Sequence, residues 1–267
     1  MPYIQPQPMP EVKKRLNVSE RHELARIARE NKQLGPRTVI VQPGDDIQQA
    51  IDSIANSGGG VVLLKQGTHT LVKNISGKTQ VSIIGEGRDV SIIECNGNAY
   101  GLDYTGTSSV QLKNFKLADF TLQNSNNTAG IDIDYCDFWR MENIRVTSCD
   151  QIGIRINRSQ YFILENVRSD SNTGDGFDFS GNSVTGRATH FTAVSCIADS
   201  NTGIGYDVNV ANNNLISFFG CIANSNTGDG FEQDSASGTF FNFIGCTSIS
   251  NGGIGFDING NNNIVTG

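Results

Sequence analysis

The chain has 267 residues, a formal net charge of −7, 30 glycines and only six prolines. No stretch approaches the length of an apolar membrane span, and apolar residues that recur at fixed intervals are not typical of a disordered chain. Residues 1–37 carry eight Lys and Arg against four Glu, or +4, whereas the 12 basic and 23 acidic residues of 38–267 give −11. This acidic body disfavours nucleic acid as the main ligand, because phosphate binding needs a basic surface.

The first 37 residues are predicted to form an extended arm followed by a short helix. Four prolines among the first ten residues disfavour regular structure, while Asn17 to Glu20 have the spacing of a capping box and Gly35-Pro36 are a stop signal. Two interpretations are open, a disordered tail or a docking segment for a larger assembly. No signal peptide is seen, since the terminus lacks an apolar core and a cleavage site.

A second helix is predicted to begin at Asp45 or Asp46. Apolar residues follow at helical spacing, and a serine with three glycines ends the pattern before the strand at 61–64. Such an amphipathic helix would cap the open first coil of a solenoid. Residues 38–267 are therefore predicted to be one repeat domain with an N-terminal capping helix.

A ladder of seven glycines repeats one pattern through this domain. Each glycine precedes a large apolar, a polar and usually another large apolar residue, and the steps are 29, 23, 23, 29, 25 and 25 residues. The ladder consists of Gly101, Gly130, Gly153, Gly176, Gly205, Gly230 and Gly255. The pattern predicts short strands with inward apolar faces, one per coil, with the variable lengths confined to loops.

Two further columns keep this register. Asn172, Asn201, Asn226 and Asn251 stand four residues before the glycine, with Cys149 in the same row, and are predicted to occupy left-handed turns and to bond to one another. Cys196, Cys221 and Cys246 stand nine residues before it. Stacked side chains favour free structural thiols over disulfides, and the cysteine and histidine spacing does not fit a transition-metal site.

The second residue after each glycine forms an outward row of six carboxylates and one arginine. The row is Asp103, Asp132, Arg155, Asp178, Asp207, Glu232 and Asp257. Carboxylates about one strand spacing apart raise one another's pKa or recruit a cation, and pairs of them suit glycoside hydrolysis. The other interpretation is a solvated face that discourages sheet stacking.

Three entry motifs carry a resemblance to a known family. They are PGDDIQQAID at 43–52, GGGVVLLKQGTHT at 58–70 and IIGEG at 83–87. This entry resembles that of pectate-lyase-like β-helices, including phage tailspikes and related virion proteins. The resemblance covers residues 38–267 and implies an all-β, right-handed parallel β-helix (solenoid), a fold that hosts lyases, hydrolases, epimerases and adhesins.

Candidate site residues follow from the acidic row and its surroundings. If the chain is an enzyme, the catalytic residues are predicted to be Asp178, Asp207 and Glu232. Nearby acids and aromatic side chains are predicted to bind ligand, namely Asp175, Asp229, Asp234, Tyr135, Tyr161 and Trp139. Trp139 is equally well interpreted as a core residue. No metal site or cofactor is predicted, with calcium left open.

Two functions of different classes remain from the sequence. The first is a tailspike-like or capsid-decorating protein on a virion surface, expected to be a homotrimer that docks through residues 1–37 and binds polysaccharide. The second is an extracellular polysaccharide lyase, hydrolase or epimerase that acts through the acidic row. Neighbouring capsid or tail genes would favour the first, and a secretion signal in the full gene would favour the second.

Overall fold

The computed structural model describes residues 37–98, 101–181, 190–210, 215–234, 240–259 and 263–266. They form a parallel β-solenoid of about eight turns, with three sheets that run along its length. Apart from Arg37, the predicted N-terminal arm and its short helix lie outside the described residues.

Each turn of the solenoid contributes a strand to each sheet in a fixed order. Sheet A consists of β1 (Thr38–Val41), β2 (Gly60–Leu64), β5 (Val81–Ile84), β8 (Leu112–Lys113), β9 (Lys116–Ala118), β12 (Cys136–Glu142), β15 (Gln160–Glu165), β18 (His190–Val194), β21 (Leu215–Phe219), β24 (Phe240–Ile244) and β27 (Asn263–Thr266). Sheet B consists of β3 (Gly67–Thr70), β6 (Ser91–Glu94), β10 (Thr121–Gln123), β13 (Arg145–Thr147), β16 (Arg168–Asp170), β19 (Ile197–Asp199), β22 (Ile222–Asn224) and β25 (Thr247–Ile249). Sheet C consists of β4 (Ile75–Ser76), β7 (Leu102–Thr105), β11 (Ala129–Asp134), β14 (Ile152–Asn157), β17 (Phe177–Gly181), β20 (Tyr206–Val210), β23 (Phe231–Gln233) and β26 (Phe256–Ile258).

The helix predicted from Asp45 or Asp46 is present as α1 (Ile47–Asn56). Asp46 is its N-cap, and the carboxylate accepts a hydrogen bond of 3.1 Å from the backbone N–H of Gln49. The apolar face, Ile47, Ala50, Ile51 and Ile54, is buried in the same core as the first strands of sheet A. This helix thus joins the core at the N-terminal end of the solenoid.

The glycine ladder has the register that the sequence predicts. Tyr206 pairs with Phe231 on the next turn, and the preceding residues, Gly205 and Gly230, stand on adjacent rungs. A Cβ atom on Gly205 would lie 2.6 Å from the carbonyl oxygen of Gly230. Glycine recurs here because adjacent turns approach too closely for any side chain.

A buried asparagine row runs beside the ladder. The side-chain amide of Asn201 donates to the side-chain oxygen of Asn226 over 2.9 Å, and the same bond links Asn172 to Asn201 and Asn226 to Asn251. The backbone N–H of Cys149 donates to Asn172, which confirms that cysteine closes this row. These bonds confirm the predicted contact between stacked asparagines.

The predicted backbone of the asparagine row is wrong in one respect. The left-handed residues are the serines immediately before them, Ser171, Ser200, Ser225 and Ser250, with φ between 54° and 58°. The serine takes the turn, and the asparagine that follows points into the core where its amide is fully used. The sequence pattern predicted the asparagine row correctly but assigned the left-handed turn to the wrong residue.

Aromatic and sulfur stacks fill the core between the sheets. Phe177, Tyr206, Phe231 and Phe256 stack on successive turns with ring centroids 4.6–4.8 Å apart. All six cysteines are free thiols, which confirms the structural interpretation over disulfides. Burial raises the pKa of the Cys149 thiol to about 11. Within the described ranges, no helix is long and apolar enough to cross a membrane.

Candidate functional site

The outward row on sheet C is continuous along the solenoid. Asp103 pairs with Asp132, Arg155 with Asp178, and Asp207 with Glu232, each on neighbouring strands. The remaining pairings connect these into one file that ends at Asp257. Successive members are therefore about one strand spacing apart, roughly 4.8 Å at the backbone.

Arginine neutralises two acids, Asp132 and Asp134, in the first half of the sheet C face. The Arg155 guanidinium holds Asp132 through Nε–H at 3.0 Å and a second N–H at 2.5 Å. The Arg158 guanidinium forms the same kind of bidentate ion pair with Asp134, in which Nε–H donates to Oδ1 over 2.9 Å. Bidentate pairs of this kind are the strong form of an ion pair. Arg155 therefore neutralises Asp132, its partner on the preceding turn.

The second half of the row has a different electrostatic character. Among the described residues, no lysine or arginine forms an ion pair with Asp178, Asp207 or Glu232. Burial, followed by repulsion from Asp178 and other acids, raises the pKa of Asp207 to about 7. Burial also raises the pKa of Asp178 and of Glu232. The three predicted catalytic acids therefore stand on consecutive turns, and each favours its protonated form more than a free carboxyl does.

Asp175 and Asp229, predicted to bind ligand, each bond to the backbone of the next turn. Asp175 Oδ1 accepts a 2.7 Å bond from the N–H of Ile204, and Asp229 Oδ1 accepts a 2.6 Å bond from that of Ile254. A Cβ atom on Gly203 would lie 2.1 Å from the Asp175 oxygen. One oxygen of each acid thus has a structural partner, and a glycine on the next turn makes room for it.

Asp234 is the most exposed acid of this group and follows the end of β23. Repulsion from its charge contributes to the raised pKa of both Glu232 and Asp207. Within the described part of the chain, no group of three or more His, Cys, Asp or Glu side chains is arranged to hold a metal ion. The six acids form a band of neighbouring carboxyl groups, and calcium at this face stays the alternative that the sequence left open.

Trp139 is not a surface platform for sugar. Only 3% of it is exposed, and its ring stacks in the core against Phe162 with centroids 4.5 Å apart. Of the two interpretations of this residue, the structure supports the core one. The physical reason is its register, because it shares an inward column of sheet A with Phe162 and Phe191.

Tyr135 and Tyr161 have faces that are already covered. The Arg158 guanidinium lies 4.4 Å from the ring centroid of Tyr135. Tyr161 is 50% exposed, but it lies between Phe138, at 5.0 Å, and His190, at 5.4 Å. One face of Tyr135 and both sides of Tyr161 thus have neighbours within the chain, and ligand binding by these tyrosines stays a prediction. The contact between His190 and Tyr161 was not predicted from the sequence, because ring contacts between turns do not follow from spacing alone.

The geometry defines what the row can do chemically. Three neighbouring carboxyls with raised pKa values, spaced along one face, are suited to donate hydrogen bonds or to act as general acid and base. Separations near one or two strand spacings overlap those of the paired carboxylates in glycoside hydrolysis. The same features also arise on a face where like charges are crowded without any substrate.

The three parallel sheets and their stacked rows define a parallel β-helix, or β-solenoid. No protein-family model and no curated protein matches the chain. Solved structures do match. PfbA, a surface adhesin of Streptococcus pneumoniae, has 14% identity and a TM-score of 0.54, over 79% of this chain and 61% of that chain. DFA-IIIase from Arthrobacter chlorophenolicus A6 has 10% identity and a TM-score of 0.52, over 80% and 69%.

A viral protein is also among the solved structures that match. ORF18 of Geobacillus virus E2 has 15% identity and a TM-score of 0.47, over 90% of this chain and 64% of that chain. The chain thus spans less than two thirds of the viral protein and of the adhesin. At these identities the likenesses concern the fold alone, and the chemistry of the chain has to be argued from its own residues.

Proposed function

We propose that this chain is a virion-attached surface protein, tailspike-like or capsid-decorating, that docks through residues 1–37 and presents its β-helix outward to host glycan. In this proposal the protein acts as a homotrimer. The observation that carries it is the abrupt change in chemistry where the solenoid begins. The first strand starts at Thr38, directly after a segment of charge +4, and the body that follows carries −11.

The described residues support separate roles for the folded body and for the attachment segment. The apolar core runs from Val41 to Phe243 and includes α1 at the N-terminal end. A folded body with its own core leaves a short basic segment available for attachment.

Cosedimentation with purified virions tests this function. The full chain is expected to pellet with particles, whereas residues 37–267 alone stay in the supernatant while remaining folded. Arg37 is kept because its carbonyl oxygen accepts a 2.9 Å hydrogen bond from the N–H of Val61. A full chain with Lys13, Lys14 and Arg15 changed to Gln serves as the matched control for charge. Equal binding by the truncated protein would contradict docking through the leader.

A second function, polysaccharide lyase, hydrolase or epimerase, is favoured by one observation. Asp207 has a pKa raised to about 7 and lies between Asp178 and Glu232 on adjacent strands. A general acid or base works best with a pKa near the working pH. The substrate class would be an acidic or neutral glycan laid along sheet C.

Glycan turnover with and without calcium separates the two functions. If the row is catalytic, Asp178→Asn, Asp207→Asn or Glu232→Gln is expected to lower turnover by at least about 10²-fold. Asp103→Asn, in the same row but in its first half, is the matched control and should retain activity. Absence of product from the unmodified protein across a broad glycan panel would sink the enzymatic alternative and leave the virion proposal standing.

A further inference from the structure

The two ends of the solenoid are built differently. At the N-terminal end, α1 packs into the core, and its Ile47 and Ile51 are 3% and 0% exposed. At the C-terminal end, β25, β26 and β27 are the edge strands of sheets B, C and A, and within the described residues each pairs on one side only. The last described turn therefore presents three strand edges together with the end of the core.

Core columns that are buried in the preceding turns open at this end. Phe218 and Phe243 are 0% and 1% exposed, whereas Val265, which is next in their column of sheet A, is 54% exposed. Phe231 is fully buried, but Phe256, which stacks on it with ring centroids 4.8 Å apart, is only half-buried. Solenoids are usually closed by terminal repeats with a polar outer face, so an open core favours a cover.

The backbone of the last described turn repeats the donors that earlier turns use to bond to the next turn. The N–H of Gly205 donates to the carbonyl oxygen of Asp229, and the N–H of Gly230 donates to that of Ile254, each over 2.9 Å. Gly255 is the next ladder glycine, and the described chain places no further turn beside it to accept the same bond.

The asparagine row stops at this end in the same way. The backbone N–H of Asn201 donates to the side-chain oxygen of Asn226 over 3.1 Å, and that of Asn226 donates to Asn251 over 2.9 Å. The side-chain amide of Asn251 is held by the Ser248 hydroxyl and by the carbonyl oxygen of Ala223. Its backbone N–H therefore marks the place of one more side-chain oxygen in register with the row.

Gly255 is a glycine although the described turn does not require one there. A Cβ atom on Gly230 would lie 2.6 Å from the carbonyl oxygen of Gly255, on the next turn. A Cβ atom on Gly255 would meet nothing closer than the Ser248 hydroxyl, at 3.3 Å, and its backbone lies outside the left-handed region. Glycine at such a position costs backbone entropy, and the close approach of another backbone is a physical reason for it.

We propose that the C-terminal end is a docking site for a capping coil, which is one further turn of parallel strands supplied by a partner polypeptide. The coil adds one strand to each sheet, as in β-augmentation. It places a side-chain oxygen over Asn251, a backbone carbonyl over Gly255 and an aromatic ring over Phe256, as the earlier turns do for one another. The partner is therefore recognised by an asparagine that is followed five residues later by an aromatic residue. The inference goes beyond the proposed function and does not depend on residues 1–37.

A second copy of the chain does not supply this coil. Its N-terminal end holds α1, whose apolar face is buried in its own core. Two C-terminal ends that met would run their strands in opposite directions, whereas the three sheets continue only with parallel strands. The occupant is therefore a different polypeptide that has a parallel strand edge of its own.

A linked coil tests the site at high effective concentration, because the linker replaces the affinity that a folded partner would add. A second copy of residues 221–245 is joined after Gly267 through about ten Gly and Ser residues, which places Asn226 over Asn251 and Gly230 over Gly255. Hydrogen exchange at the backbone amides of Gly255 and Phe256, measured by NMR, is expected to slow by at least about tenfold relative to the unlinked chain. The same residues in scrambled order on the same linker are the matched control and should leave the exchange unchanged.

Gly255→Ala separates docking from folding. In the unlinked chain it should leave Tm within about 2 °C, because the Cβ atom has room, whereas Gly230→Ala should lower Tm by more than that. In the linked chain Gly255→Ala should restore fast exchange at Phe256, because the Cβ atom faces the backbone of the coil. Exchange that the linked coil leaves unchanged, or slow exchange that persists with Gly255→Ala or with the scrambled coil, would overturn the docking site. These outcomes are independent of virion docking, which the leader truncation measures.

Discussion

At the scale of single residues, Asp207 combines burial with like charge. In the folded protein it keeps its proton up to about pH 7, whereas an unfolded aspartate loses it near pH 4. The folded state therefore binds more protons between these values, and this group's contribution to the unfolding free energy falls as the pH rises through that window. Below pH 4, Asp207 is protonated in both the folded and the unfolded state, so its ionisation no longer lowers the unfolding free energy.

Asp207→Asn is therefore expected to stabilise the protein at pH 8 relative to pH 4. Because Asp207 is partly solvated, the difference in unfolding free energy is expected to be about 1 kcal/mol, or about 2–4 °C in Tm. Thermal unfolding of both proteins at several pH values measures it. The exposed Asp150→Asn is the control, and a pH-independent difference for Asp207→Asn would show that charge repulsion is not the cause.

At the scale of elements, the asparagine row links consecutive turns through side-chain hydrogen bonds. The Asn201 amide donates to Asn226 and to the carbonyl oxygen of Ser169, and its side-chain oxygen accepts from Asn172. Asn201→Ala leaves buried groups on both neighbours without their partners. We expect a loss of about 2–4 kcal/mol in unfolding free energy, measured by urea denaturation. Asn209→Ala, exposed on β20, should change it by less than about 0.5 kcal/mol.

An equal effect of the two alanine substitutions would mean that the row adds no special stability. A loss confined to Asn201→Ala would also explain why asparagine recurs at one position in four successive turns. Asn201 is buried in the core rather than in the outward row, so its substitution reports on the solenoid.

Periodicity explains why the elements could be predicted and the site could not. Repeated glycines fix the register, and register fixes which side chains share a row, so the file from Asp103 to Asp257 followed from spacing alone. Backbone turns do not follow from spacing, which is why the left-handed residue was assigned to Asn172 when it is Ser171. Whether a ring face is exposed depends on side chains from other turns. The availability of Trp139 and Tyr161 for a ligand therefore could not be predicted from their own segments.

At the scale of the whole molecule, the leader and the solenoid are expected to separate in their roles. Removing residues 1–36 should leave cooperative unfolding with a Tm within about 2 °C of the full chain, because the described core begins at the first strands and α1. Circular dichroism during heating measures this. Loss of the cooperative transition would instead make the leader part of the folded unit, and docking through a dispensable segment would then be untenable.

Electron cryo-microscopy of purified virions tests attachment and outward presentation together. We expect rod-shaped densities that project from the particle, each about 40 Å long for eight turns at about 4.8 Å, with the N-terminal end toward the particle. Virions that carry the chain without residues 1–36 should lack these rods, although the truncated protein remains folded in the lysate. Rods that persist in the truncated virions, or particles that never carry the chain, would contradict the account.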